Sequence, residues 1–311
     1  MVSDKTKKVL ITGGSGFIGS KVKKELFSLG YDVVTIGRNK NEDHIIDLLD
    51  NSIKDLILEI SPNIVCHLAS GTNISRAEEN KDKEYKDVVS ASQSLISALS
   101  NLRIKPEKII YLSSQAIYGE VETLPVSENY KLSPTTIYGK YKLEAEKLIA
   151  NSSLNYLIFR VSSVYGPTQD YKKSGVIAKF INKLLNNESP IVFNSLDNFS
   201  DFIYIDDVVS AVTNGIKKSS HYKNEILNLG AGKPISLKEV IDILYALFPG
   251  APNPGIEKND IYSGKNSNGL YLDIERINKV LNWKPSYDIK HGLQEMVREL
   301  KQNKQTCFNV S

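Results

Sequence analysis

Three glycines at a GxxGxxG spacing, in Thr12-Gly13-Gly14-Ser15-Gly16-Phe17-Ile18-Gly19, separate an apolar run at 9–12 from an amphipathic run at 17–29. The first run reads as a buried strand and the second as a helix, so the glycines form the turn between them. Gly13, Gly16 and Gly19 let the backbone turn sharply and come close to a pyrophosphate. The helix start at Phe17 and Ile18 offers free N–H groups and partial positive charge. Strand, glycine turn and helix in that order predict a βαβ unit that binds a dinucleotide.

The alternation continues. Apolar runs at 32–36, 64–68, 108–112 and 156–161 read as buried strands, and 53–60, 85–102 and 136–151 as helices between them. Near-continuous apolar strands alternating with helices predict an α/β fold, a doubly wound parallel sheet covered on both faces. The 311 residues leave room for a second, smaller unit. Beyond 168 the pattern is mixed. Helices are expected at 176–186, at 206–216 with Asp206 as cap, at 237–247 with Ser236 as cap, near 274–281 and at 289–300. Short strands are expected at 191–193, 202–205 and 225–229. Residues 249–269, rich in Pro, Gly and Asn, read as an extended binding loop, and 302–311 as a tail without regular structure.

Composition narrows the partners. A net charge of +3 gives no basis for nucleic-acid binding. No apolar run approaches the roughly 20 residues that span a bilayer, and the residues before Gly13 are too few for a secretory apolar segment. A soluble, cytoplasmic chain is expected. Cys66 and Cys307 form no disulfide framework, and the four histidines lack ligand spacing, so no metal is expected. Cys66 and His67, inside an apolar run, read as an inert thiol and a satisfied core histidine.

Only six of the 39 basic residues are arginine, the residue suited to bidentate phosphate recognition. One of them follows the second strand, in Ile36-Gly37-Arg38-Asn39. No acid stands there to accept from a ribose 2′-hydroxyl, and arginine suits a 2′-phosphate. NADP(H) is therefore favoured, with NAD(H) an open alternative. Asp47 and Leu48, in the next loop, are expected against the adenine.

Tyr138-Gly139-Lys140-Tyr141-Lys142 sets Tyr138 and Lys142 four residues apart, on one helix face. That spacing lets an ammonium lower the phenol pKa and make it an acid or base near neutrality. Upstream, Tyr111-Leu112-Ser113-Ser114-Gln115-Ala116-Ile117-Tyr118-Gly119 carries hydroxyls on a strand to the carboxyl edge of the sheet, where α/β ligands bind.

On these motifs the chain resembles the extended short-chain dehydrogenase/reductases, a family of NAD(P)-dependent epimerases, dehydratases and reductases of nucleotide sugars. The likeness also takes in 64–69, Val164-Tyr165-Gly166-Pro167, 201–207, Asn228-Leu229-Gly230 and Leu281-Asn282-Trp283-Lys284-Pro285. It implies a dinucleotide-binding Rossmann domain over 1–168 and a smaller mixed α/β substrate domain over 169–311, with segments near 201–230 returning to the first. It implies Tyr138 as acid/base, Lys142 on the nicotinamide ribose, Ser114 on the sugar oxygen undergoing chemistry, and Leu68 and Ala69 beside the cofactor. It also implies a homodimer through 85–102 and 136–151 packed as a four-helix bundle.

Departures from the family pattern bear on the reaction. Dehydratases of the family carry Asp-Glu directly after that Ser, where this chain has Gln115 and Ala116, which cannot exchange protons at neighbouring sugar carbons. Ser163 stands in place of an Asn that contacts the substrate diphosphate, and Ser200 in place of the Arg before Asp201-Phe202. The extended loop offers Lys258 and Lys265 where relatives place another diphosphate-binding Arg. Gln115, Ser163 and Lys265 join Ser114 and Tyr138 as expected substrate contacts. Three functions fit these residues. One is NADP(H)-dependent reduction of a keto group on a nucleotide-linked sugar. The second is sugar-nucleotide epimerisation through transient oxidation with a retained NAD(P). The third is a non-catalytic cofactor sensor.

Overall fold

A computed structural model describes residues 6–71, 74–167, 169, 175–258 and 269–308, with side chains to 302. The first half runs β1 (Lys8–Thr12), α1 (Phe17–Ser28), β2 (Asp32–Gly37), β3 (His44–Ile45), α2 (Ile53–Ile60) and β4 (Ile64–His67). It continues through α3 (Ile74–Glu79), α4 (Lys81–Tyr85), α5 (Ala91–Ser100), β5 (Lys108–Ser114), α6 (Ile137–Ala150) and β6 (Tyr156–Val161). The second half runs β7 (Ser163–Tyr165), α7 (Val176–Leu185), β8 (Ile191–Phe193), β9 (Phe199–Ser200), β10 (Phe202–Tyr204), α8 (Ile205–Lys217) and β11 (Glu225–Leu229). It ends with β12 (Ile235–Ser236), α9 (Leu237–Leu247), β13 (Gly255–Glu257), α10 (Glu275–Leu281) and α11 (Ile289–Phe308).

Seven parallel strands form the central sheet in the order β11-β6-β5-β4-β1-β2-β3. Successive side chains point to opposite faces, and both faces are covered. Val9 and Ile11 enter one core with Ile110, Phe159 and helix α8, while Leu10 enters the other with Tyr111, Ile158 and helix α5. Burial on both faces explains why the strands read as unbroken apolar runs. β11, from the second half of the chain, adds the sheet edge beside β6.

Several expectations need correction. Tyr204, not Asp206, occupies the N-cap of α8, and Asp206 lies in the first turn, where its charge favours the helix dipole. The helix expected at 85–102 is interrupted by a π turn at Lys86–Ser90 between α4 and α5. Part of the 249–269 loop forms β13, which pairs in parallel with β8. The tail expected to lack structure continues α11 to Phe308. Among the described residues no helix is long and apolar enough to cross a membrane.

Candidate active site

The strand order reverses at β1, with β2 on one side and β4 on the other, and a crevice opens there at the carboxyl ends of the strands. Gly13 sits in this crevice with φ +72°, and a Cβ there would lie 2.9 Å from the Ala69 backbone, so only glycine allows the two chains to meet. The Gly13 N–H donates to Ile36 O at 2.8 Å. The Ala69 N–H donates to Thr12 Oγ1 at 3.1 Å, and Thr12 in turn faces His67 Nδ1 at 2.8 Å. Ser92 spends its proton on Val88 O at 2.6 Å, so it accepts from His67 Nε2 at 2.9 Å, which leaves Nδ1 to accept from Thr12. Burial pushes the imidazole pKa down to about 3, so His67 is a neutral relay that pins the glycine turn against β4. Burial likewise lifts the Cys66 thiol to about 12.

A cleft of ≈ 1020 Å³ spans the carboxyl edge of the sheet. Its walls bring together Gly13, Gly16, Phe17, Ile18, Gly19, Arg38, Asp47, Leu48, Leu68, Ala69, Ser114, Tyr138, Lys142 and Ser163. The close-packed glycine turn, the free first turn of α1 and this elongated volume fit a dinucleotide. Gln115 stands just behind the wall, and Lys265 lies outside the described residues.

At the end of the cleft beside β2, Arg38 Nη1 pairs with Asp87 at 2.8 Å and with Asp47 at 3.6 Å. A second guanidinium, Arg76, reaches the same Asp87 at 3.3 Å and Glu84 at 2.9 Å. Asp47 thus serves as an ion-pair partner as well as a wall residue. No acid stands at 36–39, but Glu42, four residues beyond Arg38, comes to the glycine turn. It folds back from the loop after β2, is 7% exposed, and its Oε1 accepts from Ser15 N at 2.7 Å. Its Oε2 is buried without a partner and lines the cleft. Sequence reasoning missed Glu42 because it lies four residues beyond Arg38, where local pattern gives no register. It also missed Arg76, although the scarcity of arginine marked every one as needing a role.

At the chemical end, β5 delivers Ser114 to the sheet edge, where its Oγ accepts from Ala116 N at 3.2 Å. Helix α6 starts on Thr136, whose hydroxyl accepts from Gly139 N at 3.1 Å, and this start sets Tyr138 facing Ser114. One turn on, Lys142 Nζ donates to Leu112 O at 2.7 Å and lies 5.9 Å from the Tyr138 ring centre. The expected lowering of the phenol pKa is not what the geometry gives. Burial pushes Tyr138 up to about 12, with Ser114 holding it back, and burial pulls Lys142 down to about 7, opposed by the charge of Glu84. Desolvation outweighs the pair's mutual effect because both groups are crowded by protein.

Towards the second half, Gln115 Nε2 donates to Ser163 Oγ at 3.4 Å, and Ser163 Oγ meets Ser200 Oγ at 2.8 Å. Three neutral groups therefore stand together, Gln115 in the turn after β5, Ser163 on β7 and Ser200 on β9. Asp201 adjoins them. It is fully buried, and it accepts from the backbone N–H of Ala231 at 2.6 Å, of Gly232 at 3.1 Å and of Leu272 at 3.1 Å. It anchors this wall rather than facing the cleft.

Comparison with known proteins gives the family. A sequence profile of the NAD dependent epimerase/dehydratase family matches residues 9–230. A putative UDP-glucose 4-epimerase of Methanocaldococcus jannaschii is 33% identical, over 96% of this chain and 100% of that protein. A dTDP-4-dehydro-6-deoxyglucose reductase of Escherichia coli is 30% identical, over 94% of this chain and 97% of that protein. The crystal structure of the UDP-glucose 4-epimerase of Thermotoga maritima with UDP-glucose superposes with a TM-score of 0.87 at 25% identity, covering 95% of this chain and 99% of that one. The chain belongs to the NAD dependent epimerase/dehydratase family, the NAD(P)-dependent enzymes that act on nucleotide sugars.

Proposed function

We propose that this enzyme is an NADP(H)-dependent reductase of a keto group on a nucleotide-linked sugar. The observation that carries the reading is the pair of guanidiniums, Arg38 and Arg76, gathered on Asp87 at the adenosine end of the cleft. Two forks at that place suit a 2′-phosphate, the handle that selects the reducing cofactor pool. The neutral trio of Gln115, Ser163 and Ser200 supports it from the other end, since it holds no carboxylate beside Ser114 to take a second proton. The Escherichia coli relative is named as a reductase of this kind.

A nicotinamide cofactor held in this cleft would supply the hydride. Tyr138 gives its phenolic proton to the carbonyl oxygen, Ser114 donates a hydrogen bond to the same oxygen, and Lys142 holds the nicotinamide ribose and favours the phenolate left behind. Gly13, Gly16, Phe17, Ile18 and Gly19, which line the cleft, would hold the pyrophosphate. Leu48 packs at the adenine, Asp47 steadies Arg38, and Leu68 and Ala69 line the crevice. Ser163 adds a substrate contact in the cleft, and Gln115 behind it donates to the Ser163 hydroxyl. The protein works in the cytoplasm as a homodimer through the α4–α5 and α6 faces.

Arg38→Ala tests the cofactor choice. Losing one charge-assisted fork costs NADPH roughly ten- to a hundredfold in kcat/KM and leaves NADH nearly unchanged. The reading is overturned if the purified protein uses NADH as well as NADPH, or if Arg38→Ala leaves their ratio where it was. A second reading, an epimerase with retained NAD, has its own observation in Glu42, a carboxylate beside the glycine turn whose Oε2 has no partner.

A further inference from the structure

Asp87 lies in the π turn at Lys86–Ser90, between α4 and α5, and lines the cleft. Turns of this width are rare in helices and recur at functional sites. The Asp87 side chain is 9% exposed and offers one oxygen to each of two guanidiniums. Oδ1 accepts from Arg38 Nη1 at 2.8 Å, and Oδ2 accepts from Arg76 Nη2 at 3.3 Å. Each arginine also has a carboxylate of its own. Asp47 lies 3.6 Å from Arg38 Nη1, and Glu84 Oε2 accepts from Arg76 Nη2 at 2.9 Å. Arg38, Asp47 and Arg76 line the cleft together with Asp87.

We infer that Asp87 sets the cofactor selectivity of this site, as the internal anion that competes with a 2′-phosphate for the two guanidiniums. The inference rests on the NADP(H) reading for its ligand. Two oxygens of one carboxylate bridge the two forks, as two oxygens of a phosphate would. A phosphate that binds both arginines must displace this carboxylate or stand against it. Within the cluster two cations meet three carboxylates, so an added anion is opposed. Asp87 opposes it most, because both cations share it and little water screens it. Its charge is not needed to hold the arginines, since Asp47 still pairs with Arg38 and Glu84 with Arg76. Removing that charge therefore strengthens 2′-phosphate binding, whereas a scaffold role alone would make the same change weaken it.

The test reads binding rather than turnover. Adenosine 2′,5′-bisphosphate and AMP differ only by the 2′-phosphate, and calorimetric titration of the purified protein with each gives the ratio of their affinities. Asp87→Asn, which keeps the shape and removes the charge, raises the preference for the bisphosphate about tenfold over that of the unaltered protein. A preference unchanged or lowered in Asp87→Asn overturns the inference. If that variant does not fold, the unaltered protein decides through the carboxyl carbon-13 resonance of Asp87. Displacement of the carboxylate shifts this resonance with the bisphosphate and not with AMP, and an equal response to both overturns the inference. The cofactor reading fails in a different way. If the unaltered protein binds both ligands alike and Asp87→Asn gains a preference for the bisphosphate, the NADP(H) reading falls and the role of Asp87 stands. If the unaltered protein prefers the bisphosphate and Asp87→Asn does not raise that preference, the reading stands and the inference falls.

Discussion

Tyr138→Phe lowers kcat by about a thousandfold with little change in KM or thermal stability. The ring stays in place against Ser114 and Lys142, so only the proton donor is lost. Burial holds the phenol pKa at about 12, so the hydroxyl is protonated throughout the neutral range and ready to donate to a carbonyl oxygen. Lys142, with a pKa near 7, is an ammonium below that pH and loses its charge as pH rises through it. Because the ammonium favours the phenolate that donation leaves, reductive turnover falls as pH rises above about 7. A kcat profile with NADPH over pH 5–9 checks the sign. A rate that climbs across this interval, or a Tyr138→Phe variant that keeps full turnover, contradicts these roles.

Glu146→Ala costs about 3–5 kcal/mol of stability, read by urea unfolding. Arg160 is 4% exposed and pairs with Glu146 at 2.7 Å, while donating to Tyr118 Oη at 3.1 Å and to Glu128 O at 2.8 Å. Tyr118 passes its own proton to Asn228 Oδ1 at 2.6 Å. Truncating Glu146 leaves a guanidinium buried without its counter-charge, which is far costlier than losing a surface pair. Replacing Arg160 and Glu146 together by Met and Leu costs less than Glu146→Ala, since no lone charge remains. The network also ties α6, which carries Tyr138 and Lys142, to β6. Equal stabilities for the single and double variants would contradict this account of the pair.

The sheet was legible because its strands are buried on both faces. Runs such as 156–161 and 225–229 matched the observed strands residue for residue, since short, mostly apolar runs between helical stretches have few other uses. Ser236 was legible as a cap because its hydroxyl and Glu239 form a reciprocal capping box. The π turn at Lys86–Ser90 was not, because one inserted residue leaves the helical period nearly intact. Among the proposed site residues, Tyr138 and Lys142 were marked by spacing only together with the upstream strand, and Ser114 by the family resemblance. Glu42 and Arg76 reach the cleft through loop and helix packing that no local pattern encodes. The phenol pKa was misjudged for a related reason. Spacing places two side chains on one helix face, but how deeply they are buried is decided by the strands behind them.

The central claim is net reduction, and the stoichiometry of cofactor use tests it most directly. The protein is incubated with NADPH and dTDP-4-dehydro-6-deoxyglucose, the substrate named for the Escherichia coli relative. NADPH consumed at 340 nm is compared with reduced sugar formed. The account predicts one NADPH oxidised for each keto-sugar reduced, through many turnovers. Conversion of a hydroxyl sugar nucleotide to its 4-epimer with no net change in NADPH, and no reduction of the keto-sugar, would contradict it.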